Sequence, residues 1–185
     1  GAHHNLIGSD GDGLNDAAER NLISGNAIGI YLGGSNTHEN TIAGNYIGVD
    51  AAGSAALANT QGGISIQEAW GNTIGGLAGN LISGNGSNGV KIAGETAQAN
   101  HLAGNKIGLN AGGSAAVPNL YGVYVVNAPQ NIIGTDGDGS RDSLERNIIS
   151  GNSNYGVYLH DAESSGTIVA GNYIGVSAGG LAAVP

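Results

Sequence analysis

Two Asp-Gly-rich segments carry acidic side chains at a spacing that suits a hard cation. The first runs Asp10-Gly11-Asp12-Gly13-Leu14-Asn15-Asp16-Ala17-Ala18-Glu19, and Asp136, Asp138, Asp142 and Glu145 repeat its order. Glycine permits a tight loop at such a place, and carboxylate oxygens are the ligands that calcium takes. Asp10, Asp12, Asp16, Glu19, Asp136, Asp138, Asp142 and Glu145 are therefore candidate Ca2+ ligands. The spacing is not that of an EF-hand, whose glycine falls at the sixth position; here it falls at the fourth. The same residues also read as a turn before a short helix with an acidic first turn.

Aromatic and cationic side chains form a second set. Tyr31, Ser65, Lys91, Tyr124 and Tyr158 fall at outward positions of one recurring segment. Leu22, Tyr46, Leu81, Lys106, Ile148 and Tyr173 fall at those of another. Tyr31, Tyr124 and Tyr158, with Lys91, are candidate carbohydrate contacts, although β propensity alone also places tyrosine on sheets. Lys91 is the candidate base for a lyase or epimerase, chemistry that also needs charge neutralisation near the sugar carboxylate. The motifs Asn-Thr-Asp, Asp-Asp, Gly-His-Gly and Arg-x-Lys are absent. His3 and His38 occupy equivalent turns, near His4; zinc there would need further ligands. His101, His160 and Trp70 read as surface turn residues.

Composition narrows the classes. With five Lys plus Arg against 14 Asp plus Glu, the net charge of -9 argues against nucleic-acid binding. The chain has no cysteine, which excludes disulfides and thiolate metal sites. No apolar run reaches membrane-spanning length, so no membrane insertion is expected. Glycine supplies 36 residues while Phe and Met are missing, so the core must come from Ile, Leu, Val and Ala in small repeated units.

Those units are visible. Asn21-Leu22-Ile23-Ser24-Gly25-Asn26 returns at Asn80–Asn85 and, with Ile148, at Asn147–Asn152. Around it, three kinds of short segment alternate apolar and polar residues, as half-buried strands do. Segments A carry Ile30/Leu32, Ile64/Ile66, Val90/Ile92, Val123/Val125 and Val157/Leu159. Segments B centre on Ile7, Ile42, Ile74, Leu102, Ile133 and Val169; segments C centre on Ile23, Ile47, Ile82, Ile107, Ile149 and Ile174. Val49, Leu109 and Val176 read as extra inward residues after C.

Successive A segments lie 34, 26, 33 and 34 residues apart, with no helix between them. Stacking A on A, B on B and C on C gives an all-β fold, a parallel β-helix of five to six coils with three parallel sheets. The crossover rule makes it right-handed. Asn5, Asn40, Asn72, Asn100 and Asn131 open B, with Thr167 in the sixth place; Asn21, Asn45, Asn80, Asn105, Asn147 and Asn172 open C. These predict stacked amide ladders at two corners. The turns at Asn15–Arg20 and Arg141–Arg146 are expected to cover Leu22 and Ile148 through Leu14 and Leu144, leaving Leu81 uncovered.

The phrases Asn-x-Ile-Ser-Gly-Asn, Gly44–Asn59 and Ile7–Gly13 resemble the pectate-lyase-like right-handed β-helix repeats of large bacterial secreted and surface proteins. The resemblance covers essentially the whole chain. It implies an extracellular or cell-surface bacterial setting and a family that includes adhesins, inactive modules, lyases, hydrolases and epimerases. Fold alone does not choose among these. The expectation is one domain over residues 1–185, a slice of a longer solenoid whose open ends meet neighbouring coils or subunits. Its expected role is a structural or interaction segment, a rigid spacer or adhesin-like module, calcium-stabilised and contacting extracellular polysaccharide. The alternative is a carbohydrate-active lyase or epimerase.

Overall fold

The computed structural model describes residues Gly1–Pro185. The first coil comprises β1 (Leu6–Gly8), β2 (Leu22–Ile23) and β3 (Ile28–Gly33). The second holds β4 (Thr41–Ala43), β5 (Tyr46–Ile47) and β6 (Gly62–Gln67), and the third β7 (Thr73–Gly75), β8 (Leu81–Ile82) and β9 (Asn88–Ala93). In the fourth are β10 (His101–Ala103), β11 (Lys106–Ile107) and β12 (Tyr121–Val126); in the fifth, β13 (Ile132–Gly134), β14 (Ile148–Ile149) and β15 (Tyr155–His160). A last coil contributes β16 (Ile168–Ala170) and β17 (Tyr173–Ile174). Two one-turn helices, α1 (Asp16–Glu19) and α2 (Asp142–Glu145), lie in the Asp-Gly insertions of the first and fifth coils.

Equivalent strands pair only with their counterparts in adjacent coils. Sheet B has six strands, sheet C six and sheet A five, and every pairing within them is parallel. The register matches the apolar pattern: Ile30 lies beside Ile64, Ile64 beside Val90, Val90 beside Val123, and Val123 beside Val157. A slip of one residue would turn each of these outward, so burial fixes the register. The side chains of Ile42, Ile74 and Leu102 from sheet B, Ile47, Ile82 and Ile107 from sheet C, and Ile66, Ile92 and Val125 from sheet A meet in one continuous core.

Asparagine columns hold the corners, and there are three of them, not two. At the entry to B, Asn5 donates through Nδ2 to Asn40, Asn40 to Asn72, Asn72 to Asn100, and Asn100 to Asn131. At the entry to C the column runs from Asn21 through Asn45, Asn80, Asn105 and Asn147 to Asn172. The third lies between C and A: Asn26, Asn59, Asn85, Asn119 and Asn152. It alternates the last residue of the hexapeptide with an asparagine that closes a loop, so it shows no single motif in the sequence. Buried amides of this kind are tolerated because each finds its partners. Thr167 ends the first column, and its buried Oγ1 has no hydrogen-bond partner.

The loops after sheet C correct three expectations. Val49, Leu109 and Val176 do not extend the central core; each makes a single antiparallel bridge, to Ala56, Ala116 and Ala183 respectively, at the base of a loop folded back outside sheet C. Val49 and Val117 pack with Leu81 in a small second cluster, flanked by Tyr46 and Ala111. Leu81, expected to lack a cover, is 4% exposed because the loops of the second and fourth coils close over it. Conversely α1 and α2 cover little: Leu14, Leu22 and Leu144 remain 69%, 49% and 57% exposed. A one-turn helix offers too little surface to bury a neighbour.

Candidate functional site

The outer face of sheet A brings the aromatic and cationic residues together. Tyr31, Ser65, Lys91, Tyr124 and Tyr158 occupy successive places in one register row. The row divides into two neighbourhoods. Tyr31 and Lys91 line a cleft of about 300 Å³ with Ser65, Gln61, Gln67 and Asn88. Asn88 is 9% exposed, and its Oδ1 has no hydrogen-bond partner. One cation, three amides and the hydroxyls of Tyr31, Ser65 and Ser87 offer many donors, but no carboxylate or arginine lines this cleft. Lys91 thus stands there without a second charged side chain to neutralise a sugar carboxylate.

Tyr124 and Tyr158 stack with ring centroids 5.2 Å apart, and Tyr121 stacks on Tyr155 at 5.6 Å beside them. His160 joins the group, its Nδ1 lying 3.1 Å from the Tyr124 hydroxyl. Burial, then the neighbouring Tyr158, Asp161 and Tyr121, push the Tyr124 hydroxyl above its ordinary value. The sequence reading missed Tyr121 and Tyr155, because odd spacing from Tyr124 and Tyr158 puts them on the opposite face of a regular strand. Gly122 removes that rule. A Cβ there would meet the Ile149 side chain at 2.7 Å, so Gly122 faces inward just before inward Val123, and Tyr121 returns to the outer face. The signal was the Gly-Val pair itself.

The Asp-Gly segments gather their carboxylates in part. Ligand oxygens of Asp10, Asp12 and Asp16 lie within 4.8 Å of one another, as do those of Asp136, Asp142 and Glu145. Glu19 and Asp138 are outside these groups. Much of the acceptor capacity is spent within the loop: Asp10 Oδ1 accepts from the Asp12 N–H, Asp12 Oδ1 from Leu14, and Glu19 Oε2 from Asp10. Asp138 Oδ1 accepts from Ser140 in the same way, and Glu145 Oε2 from Asp136. Such clusters supply oxygen ligands, and they also occur on acidic surfaces that hold no ion.

At the B entry, His3 stacks on His38 with 5.1 Å between centroids, as the equivalence of their turns implies. Trp70 continues the stack at 4.5 Å from His38, so it is part of a column and not an isolated turn residue. Glu39 Oε2 lies 3.2 Å from both His4 and His38. His101 Nε2 reaches the Gly134 carbonyl at 2.7 Å, tying one coil to the next.

Fold and surface together define a parallel β-solenoid with one aromatic, amide-rich outer face. No family model, curated protein or solved structure matches the chain. No helix is long and apolar enough to cross a membrane.

Proposed function

We propose that this chain is a rigid interaction segment of an extracellular bacterial β-helix protein, with extended carbohydrate as the ligand of sheet A. The observation that carries this reading is the register row of Tyr31, Ser65, Lys91, Tyr124 and Tyr158. Strands about 4.8 Å apart place its ends about 19 Å from one another. A linear glycan lying along the row meets aromatic faces at each end and polar donors between them, the pairing of apolar and directional contacts that ligand sites use. The setting rests on the repeat phrases, which resemble those of bacterial surface β-helices. Leu6 and Leu22 at one end, and Ile168 and Ile174 at the other, are 47–49% exposed, surface that neighbouring coils or subunits would cover. In the same reading the Asp-Gly loops take calcium.

A glycan array of neutral and acidic polysaccharides tests the proposal. Binding above background that disappears in Tyr124→Ala/Tyr158→Ala supports it; no signal for the wild-type chain overturns it. Uronate cleavage or epimerisation abolished by Lys91→Ala would replace it with the lyase or epimerase reading.

A further inference from the structure

A second cavity of about 300 Å³ opens on the outside of sheet C, between Arg20 and Lys106. Its origin lies in a break of the two-coil pattern. Arg20 covers the Tyr46 ring at 3.9 Å, and Arg146 covers Tyr173 at 4.2 Å. The intervening pair of coils has Gly79 in place of the arginine and Lys106 in place of the tyrosine. A side chain at Gly79 would run into the Gly104 carbonyl, so nothing fills the space above Lys106.

The cations that face this space are not neutralised. All ion pairs in the structure involve histidines, so neither Arg20 nor Lys106 is paired with a carboxylate although the chain carries 14. Lys106 Nζ donates to the Ala111 carbonyl at 2.6 Å, and an ammonium has two further N–H donors. Arg146 Nε donates to the Gly171 carbonyl, but Arg20 Nε is buried with no partner. Leu81, Tyr46 and Ala111 supply apolar walls. Charge-assisted donors converging beside a partly apolar wall are what an oxyanion on a small organic body requires.

We propose that this cavity binds a small oxyanion of monosaccharide size, its carboxylate, phosphate or sulfate group held between Arg20 and Lys106. The site is separate from the sheet A row and does not depend on the carbohydrate reading of that face.

Calorimetric and amide-NMR titrations of the whole chain with glucuronate, glucose 6-phosphate, inorganic sulfate and glucose test it. Saturable binding is expected with one or more of the three anions and not with glucose, and the preferred anion identifies the head group. Lys106→Tyr restores the residue type found at Tyr46 and Tyr173; it should keep the melting temperature and weaken binding about tenfold or more. Lys91→Ala, in the other cleft, should leave binding unchanged. No saturable response to any anion, equal response to glucose, or undiminished binding by Lys106→Tyr would overturn the proposal.

Discussion

The N–H of Ala111 donates to the carbonyl of Gly53 at 2.8 Å, joining loops whose strands lie two coils apart. The same bond recurs from Ala178 to Gly113. Each bridge passes over an intervening coil that has no loop of its own, the first over Leu81, which it encloses, and the second over Ile148. Leu81→Ala should therefore cost about 2–4 kcal/mol, as a core truncation does, while Leu22→Ala in the equivalent row should cost about 1 kcal/mol or less. Urea unfolding of both variants checks this; equal losses would show that the loops do not close over the coil.

Asn80 accepts both the backbone N–H and the Nδ2 of Asn45 through one Oδ1. Asn80→Ala strands the Asn45 backbone N–H in the interior, while Asn45 Nδ2 keeps the Ile7 and Ala43 carbonyls, and a loss of about 1–3 kcal/mol is expected in the same assay. Thr167→Asn makes the opposite change. It gives the Asn131 backbone an acceptor and removes the orphaned hydroxyl, so stability should rise by about 1 kcal/mol. A neutral result for Asn80→Ala would mean that water replaces the missing amide.

Acid should loosen one loop selectively. The backbone N–H groups of Ser54 and then Ala55 hold the Asp50 carboxyl below its ordinary value of 3.8. A lowered folded value means that the contribution is complete above about pH 4 and is lost as pH falls through the folded value. Carbon NMR should show Asp50 titrating below the usual range. In Asp50→Asn the acid-dependent contribution should vanish while the loop persists, because Asn110 already accepts from Ser114 and Ala115 in the equivalent loop. An unchanged acid response would assign the effect elsewhere.

Calcium is tested by melting. Chelator-stripped protein should gain thermal stability on adding Ca2+, by linkage to the folded state. The gain should shrink in Asp12→Asn and Asp16→Asn. No shift in the wild-type chain removes calcium from the proposed function.

The three sheets were legible because each B and C strand is centred on an apolar residue at a fixed distance from an asparagine, or from Thr167 in the last B strand. Leu81 was misread for a physical reason: what covers it comes from loops around Gly53 and Ala111, far from it in sequence on either side and held by backbone bonds that no side-chain pattern announces. The third asparagine column was hidden likewise, because Asn59 and Asn119 follow loops and share no motif with Asn85. On sheet A, Tyr124 and Tyr158 could be read from alternation, whereas Tyr121 required knowing that Gly122 turns inward.

The asparagine columns also give the molecule a direction. Every amide-to-amide bond in the columns runs from the earlier coil to the later one, so Asn5, Asn21 and Asn26 keep unused Oδ1 acceptors while Asn131, Asn152 and Asn172 keep backbone N–H groups with no acceptor. One extremity is a triangle of acceptors; the other presents donors at the Asn152 and Asn172 corners, while Thr167 of the last coil lies over Asn131 at the third. Further coils, from any source, can complete these corners only by adding head to tail with the same polarity. Any growth of such a rod would be vectorial, and two rods meeting by like extremities would confront donor with donor or acceptor with acceptor.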